Sequence, residues 1–403
     1  MGRKRDDDCE DDTRAAAAAG RRTRQRTSAG QTLLWVVALL LSLVLLQQLA
    51  TRPARSARSA LTAREGVLLD GRDVAKPLPL VFPNGAKSAH RCDLPALRYQ
   101  CELDRATGCR AYPQLFPMRE LLSNWSPDEP TRPPAHTFES ICRFDLSDPY
   151  ELQLAHMFHQ MEVPFIAYGV PQLTRASQTW TDENMAKLDE PPTYASHWWT
   201  YQQFLAAVAA TKTQADDDHQ YFYLQLKAGD INARARFVYD DLDFMDAARV
   251  LSPDSALLAA YGNMFIRDPQ DTLERGMRCR FGMQGIITEG HFDSALNMIA
   301  MVRGAKRYIV APPSACSCLD LLTAGPSARH TRLDWSNMSA LPAHALECPA
   351  TEVVVRAGDV LYMPSYWYHH IVSLDESIQC NVRSGTIARE DTLRFLDECG
   401  FEG

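Results

Sequence analysis

The 403-residue sequence predicts a mainly β domain, an all-β sandwich or barrel, preceded by a single membrane-spanning helix. Three observations carry this expectation. From residue 221 onward, short apolar runs punctuated by Gly and Pro follow one another without helical patterns of 10–15 residues, which argues against a βαβ sheet. A 20-residue stretch without charge, QTLLWVVALLLSLVLLQQLA, occupies residues 31–50. Two motifs rich in metal-ligand side chains, HFD at 291–293 and PSYWYHH at 364–370, fall among the apolar runs.

Residues 1–30 mix an acidic patch (Asp6–Asp12) with a basic one (Arg21–Arg26) and offer no face to bury, so they are expected to be a disordered tail. A helix over 32–50 is long enough to cross a hydrocarbon core of about 30 Å. A cleaved targeting segment and a buried helix are the alternatives, and the long charged lead favours an uncleaved signal-anchor. Arginines flank the span on both sides (21, 22, 24, 26 and 52, 55, 58, 64), leaving the charge bias flat. Ten of the eleven cysteines and two glycosylation sequons, at Asn124 and Asn337, lie after the span. They favour a single-pass membrane protein with a lumenal catalytic part, in the endoplasmic reticulum or Golgi.

The expected organisation continues with a linker over 51–85, an α/β flank over 86–220 and a barrel core over 221–403. In the flank, YELQLAHMFHQM (150–161) reads as a helix, EVPFIAYGV as a strand and WTYQQFLAAVAATK (199–212) as an amphipathic helix. The core reads as strands at YFYLQL, FGMQGIITEG, NMIAMVRG, AKRYIVAPP, TEVVVRAG, DVLYMPSYW and SIQCNVRSG. Residues 1–65 carry 12 basic and 7 acidic side chains, and the whole chain a net charge of −8, leaving −13 on residues 66–403. A domain so acidic has no counterion-release term with which to hold nucleic acid.

On a strand, His291 and Asp293 point to the same side while Phe292 packs the other. With one histidine of the 369–370 pair they would form two imidazoles and a carboxylate, the facial set that leaves open positions on octahedral Fe(II). A strand-edge pair without metal is the competing reading of HFD. Lys306, in VRGAKRYIVAPP, is ordinarily an exposed sheet residue, but if it enters the interior it needs an anion. An iron co-substrate such as 2-oxoglutarate would present one in its distal carboxylate. Cys316 and Cys318 lack a matching pair at zinc-site spacing, and no GxSxG-like elbow supports a serine nucleophile.

FGMQGIITEGHFDSALNMIAMVRGAKRYIVAPP followed by AGDVLYMPSYWYHHIVSLDESIQCNV resembles the JmjC-type (cupin-like) Fe(II)/2-oxoglutarate oxygenases, and among them the small protein-hydroxylase branch that includes the asparaginyl hydroxylase of hypoxia signalling. The likeness runs over about residues 155–385, and RHTRLDWSN (329–337) is similar to the loop joining the two halves in that branch. It implies a double-stranded β-helix (jelly roll) with a helical N-terminal flank. The family's metal ligands fall on His291, Asp293 and His369, with His370 replacing His369 if the register slips by one. The lysine for the distal carboxylate falls on Lys306, and its polar partners fall on Thr288, Asn297, Asn381 and Tyr223. Thr288 lies three before His291, out of phase in an ideal strand, so a bulge must re-aim it. After Asn381 the family's aromatic pair is replaced by Val382-Arg383, which bears on pocket shape. The resemblance implies an Fe(II)- and 2-oxoglutarate-dependent dioxygenase that consumes O2 and hydroxylates a protein or peptide side chain. A silent binding module and a metal cupin that does not use 2-oxoglutarate are the alternatives.

Overall fold

The computed structural model describes residues 112–124, 138–186, 200–211, 221–226 and 237–401, apart from short interruptions at 251, 253–254, 269–270, 272–274, 336 and 387–389. The chain divides into a unit over Met1–Val74, which lies wholly outside the described residues, and a unit over Ala75–Gly403.

Twelve strands are described: β1 (Phe116–Pro117), β2 (Arg143–Asp145), β3 (Phe165–Tyr168), β4 (Tyr223–Leu226), β5 (Arg278–Gly282), β6 (Ile287–Phe292), β7 (Asn297–Arg303), β8 (Ala305–Ala311), β9 (Pro349–Arg356), β10 (Val360–Met363), β11 (Tyr368–Ser373) and β12 (Ser377–Arg383). They form two open sheets, ordered β1-β9-β8-β11-β6 and β2-β3-β10-β7-β12-β5-β4. Five helices contribute to the packing on these sheets: α1 (Met118–Asn124), α2 (Pro149–Met161), α3 (Pro171–Thr179), α4 (Tyr201–Thr211) and α5 (Glu390–Glu398).

Side-chain alternation sorts the apolar residues into three layers. Tyr308 and Val310 of β8, Val353 and Val355 of β9, and Ile371 of β11 meet Ile299 and Met301 of β7 and Leu361 and Met363 of β10 between the sheets. Ile309 and Ala311, one residue out of phase on β8, pack on the opposite face against α1 and α5 through Met118, Leu121 and Leu396. The outer face of the seven-stranded sheet presents Met298, Ala300, Val302, Tyr362 and Val382 to α2, α3 and α4. Burying a side chain of this size is worth about 1.5–3 kcal/mol, so the helical layer is required to keep that face dry.

Local sequence explains α2. The Asp148 carboxylate accepts from the backbone N–H groups of Tyr150 and Glu151, Pro149 opens the first turn, and Glu162 closes the helix in the left-handed region (φ 58°). Leu154, Ala155 and Phe158 then share the face that meets the sheet.

The structure corrects two expectations. The closed, mainly β double-stranded β-helix is not formed: the architecture is mixed α/β, with two open sheets. The reason lies in the flank, whose strands join the sheets directly, β1 on β9 and the parallel pair β2–β3 on β10, while α2, α3 and α4 cover the seven-stranded sheet. The single-pass membrane expectation is corrected as well. Among the described residues no helix is long and apolar enough to cross a membrane. Residues 32–50 themselves lie outside the described residues. The membrane partner, the signal-anchor and the lumenal placement in endoplasmic reticulum or Golgi are therefore withdrawn.

Candidate metal centre

The centre is built where β6 and β11 run antiparallel. Tyr368 pairs with Phe292 and His369 with His291, so the two imidazoles share a face, with ring centroids 4.4 Å apart. Asp293 follows the end of β6, and its carbonyl accepts the Tyr366 N–H at 2.7 Å, tying the turn before β11 to the site. The single strand that the sequence predicts over DVLYMPSYW ends at Met363. Pro364–Trp367 form a turn, with Tyr366 at φ 65°, and β11 begins anew in the other sheet.

One ligand atom from each of His291, Asp293 and His369 lies within 4.8 Å of the other two. The Nδ1 atom of His291 bonds the Glu289 carbonyl at 2.9 Å, and Nδ1 of His369 bonds the Trp367 carbonyl at 3.0 Å. A carbonyl only accepts, so each Nδ1 carries the proton and each Nε2 keeps its lone pair, the tautomer that a metal-binding histidine needs. Burial, together with the neighbouring His369, holds His291 well below the ordinary imidazole range, and burial likewise lowers His369. Both rings are therefore neutral at pH 7. For Asp293 burial acts upward, yet the Arg383 guanidinium holds the carboxyl well below the usual carboxylate range. Two neutral imidazoles and one carboxylate are the donor set of non-haem Fe(II) sites, and the side chains fit such an ion.

Both carboxylate oxygens of Asp293 have protein partners. Oδ1 meets Arg383 Nη2 at 2.6 Å, and Oδ2 accepts from Asn297 Nδ2 at 3.1 Å. Asn297 Oδ1 accepts in turn from Asn381 Nδ2 at 2.9 Å, and Asn381 Oδ1 accepts from Arg280 Nη1. Asn297 and Asn381, expected beside a co-substrate, are thus tied to each other and to Asp293.

Thr288 pairs with Ile371, two residues from His369, although it lies three residues from His291. The extra residue on β6 is a bulge that brings Thr288 onto the face of His291. Lys306 lies on β8 opposite Ser373 of β11 and is 1% exposed. Burial, with Arg280 adding to it, lowers its pKa to about 7. Among the described residues it has no hydrogen bond or ion pair; its Nζ lies 5.4 Å from the centre of the Tyr223 ring. The Ser373 hydroxyl is also buried without a partner. His370 faces away from the centre, as strand alternation requires, and burial with Arg307 lowers it to about 4.

Arg383, Arg280 and His330 were not singled out as site residues by sequence. His330 stacks on His291, with centroids 4.9 Å apart and planes 16° from parallel. Arg383 lies two residues after Asn381 on β12 and so shares its face, a signal that spacing alone carries.

Fold and site together define a two-sheet scaffold with a 2-His-1-carboxylate metal centre at one strand pair. The chain belongs to the cupin-like domain family, whose model matches residues 152–382. Among curated proteins it is similar to lysine-specific demethylase JMJ31 of Arabidopsis thaliana, 29% identical over 23% of this chain and 17% of that protein. It is also similar to human tRNA wybutosine-synthesizing protein 5, 25% identical over 26% of this chain and 32% of the relative. A third relative is tRNA wybutosine-synthesizing protein 4 of Aspergillus oryzae, 29% identical over 20% and 7%. The chain spans less than a third of the length of these relatives. The kinship with JmjC-type and cupin-like proteins holds at this level, and it does not single out the protein-hydroxylase branch.

Proposed function

We propose that the protein is an Fe(II)- and 2-oxoglutarate-dependent oxygenase that hydroxylates a protein side chain. The observation that carries this reading is the convergence of His291, Asp293 and His369 with both Nε2 lone pairs free for a metal. Iron(II), when bound, supplies the redox chemistry that couples conversion of 2-oxoglutarate to succinate and CO2 with insertion of one oxygen atom into a substrate C–H bond. The three ligands hold the metal and leave adjacent positions for the co-substrate and O2. Lys306 pairs with the distal carboxylate, with Thr288 and Tyr223 as polar neighbours. Asn297 and Asn381 act through Asp293. The helical flank and the two-sheet core act as one catalytic unit, since flank strands are hydrogen-bonded into both sheets.

The substrates that the relatives' names state, a lysine side chain and tRNA, differ from one another. The net charge of −13 over residues 66–403 favours protein over tRNA. The test is succinate formation from 2-oxoglutarate by the full-length protein with iron(II) and ascorbate, with a peptide library and total tRNA compared as stimulants. Stimulation by peptides, abolished in His291→Ala and Asp293→Ala, is expected. Turnover that survives both substitutions removes the site assignment, and stimulation by tRNA alone removes the protein substrate.

A further inference from the structure

The centre carries more positive charge than a three-ligand site requires. Arg383 holds one oxygen of Asp293 directly. The other oxygen is reached through Asn297 and Asn381 from Arg280. Alternation places Arg280 on the inner face of β5. It lies opposite Gln379 of β12, whose Oε1 accepts from the Tyr308 hydroxyl at 2.9 Å, and Tyr308 lies two residues from Lys306 on β8. Arg280 therefore faces the space between the metal ligands and Lys306. Among the described residues it has no carboxylate partner, only the Asn381 amide oxygen. Two guanidinium groups are thus tied to one carboxylate, Arg383 directly and Arg280 through two amides.

A dication entering this arrangement adds +2 to a neighbourhood where Asp293 is already neutralised by Arg383. Little attraction remains for a bare metal ion, whereas a chelating dianion brings the missing negative charge. We propose that Arg383 and Arg280 are positioning residues that keep the Asp293 carboxylate aimed in the absence of metal, while opposing a cation that arrives alone, so that metal and dianion enter together. The choice of 2-oxoglutarate as the dianion rests on the oxygenase function already proposed. Such coupling is reciprocal: the factor by which the dianion tightens the metal is the factor by which the metal tightens the dianion.

A purely orienting role gives the opposite sign. Removing a partner that only aims a metal ligand typically weakens metal binding by about 10–100-fold, as a general range. Removing a partner that also repels the metal strengthens it, because Asn297 still holds the second oxygen.

The experiment titrates manganese(II) into metal-stripped full-length protein, with and without 2-oxoglutarate, and reads free manganese by electron paramagnetic resonance. In the wild type, 2-oxoglutarate is expected to tighten manganese by roughly tenfold or more, a coupling of ordinary size. Arg383→Met should bind manganese alone several-fold more tightly than wild type and show a smaller enhancement by 2-oxoglutarate. Arg383→Lys, which keeps the charge, should retain the wild-type pattern. Arg280→Gln, which keeps an amide toward Asn381 and leaves the Arg383 ion pair in place, should move in the same direction as Arg383→Met and guards against a folding defect in the latter. Weaker or unchanged binding of manganese alone in both charge-removing variants overturns the proposal and leaves the oxygenase reading standing. Absence of any 2-oxoglutarate effect on the wild type overturns both.

Discussion

Gly290 and Tyr368 compete for one space: a Cβ built on Gly290 would lie 1.5 Å from the Tyr368 hydroxyl oxygen and 2.2 Å from its Cζ. The pair sits at the register shift between β6 and β11, one residue before each metal-ligand histidine. Tyr368 is 1% exposed and packs with Phe292 and Trp335 in the cluster beneath the five-stranded sheet, so it has no room to retreat. Gly290→Ala is therefore expected to cost about 3 kcal/mol of stability, at the upper end of ordinary overpacking, and to abolish stoichiometric manganese uptake by displacing His291. Urea unfolding and metal titration check the two effects. Tyr368→Phe in the same chain should restore only part of the stability, because the ring carbon still clashes. An alanine variant with wild-type stability would show that the strand pair is looser than this contact implies.

Lys306 gives a pH dependence with a definite sign. Its pKa is about 7 in the folded protein against 10.5 for an ordinary lysine, because burial and Arg280 disfavour the ammonium. Between those values the unfolded chain binds more protons, so stability rises with pH through that window. Below about pH 7 both states are charged and the folded state bears the whole penalty, which at about 1.36 kcal/mol per pH unit is on the order of 5 kcal/mol. Lys306→Met should be more stable than wild type at pH 6 and 7, with the difference shrinking toward pH 10. It should also lose 2-oxoglutarate affinity at pH 7. Parallel urea-unfolding curves for the two proteins across pH 6–10 would rule out the unpaired, buried ammonium.

The strands at Asn297–Arg303, Ala305–Ala311, Pro349–Arg356 and Ser377–Arg383 were legible because short, largely apolar runs there are set off by Gly, Pro and polar stops. The mixed α/β class was not. Helices such as Pro171–Thr179 are short and weakly apolar in sequence, and only their docking on Met298, Ala300 and Val302 stabilises them. DVLYMPSYW read as one strand because nothing in its composition announces the positive φ at Tyr366. The phase conflict at Thr288 was visible as a requirement for a bulge, but its place at Glu289–Gly290 needed the register with β11. Arg383 was visible only as part of the Val382-Arg383 departure from the family's aromatic pair, and Arg280 carried no signal of its own. Spacing from Asn381 gives the direction of Arg383, whereas that of Arg280 needed the pairing of β5 with β12.

Adjacent histidines on one strand give a test of register. His369 faces His291, whereas His370 faces the other side of β11, where its Nδ1 has no partner. His370→Leu is expected to keep manganese uptake and to change stability by less than about 1.5 kcal/mol, since it replaces a buried, unsatisfied ring with an apolar side chain of similar size. His369→Ala should abolish uptake. Metal titration of the two variants decides the assignment, and the reverse pattern would move the ligand to His370.

Cys279 and Cys380 face each other across β5 and β12 and are joined by a disulfide, with Arg280 and Asn381 as the next residues on each strand. The bridge closes a sequence separation of 101 residues, against 30 for Cys318–Cys348. Chain-entropy reasoning gives about 4.7 kcal/mol for a loop of that length and about 3.6 kcal/mol for the shorter one. The two sulfurs are fully buried beside Phe281 and Ala300, so replacement by alanine adds a small cavity to the lost constraint. Cys279→Ala/Cys380→Ala is expected to lose about 4–5 kcal/mol in urea unfolding under non-reducing conditions, slightly more than Cys318→Ala/Cys348→Ala. It should also loosen the hydrogen bond between Arg280 and Asn381, which depends on the register that the bridge pins, and so lower the cooperativity between manganese and 2-oxoglutarate. A loss below about 1 kcal/mol with unchanged cooperativity would mean that the β-ladder alone sets this register.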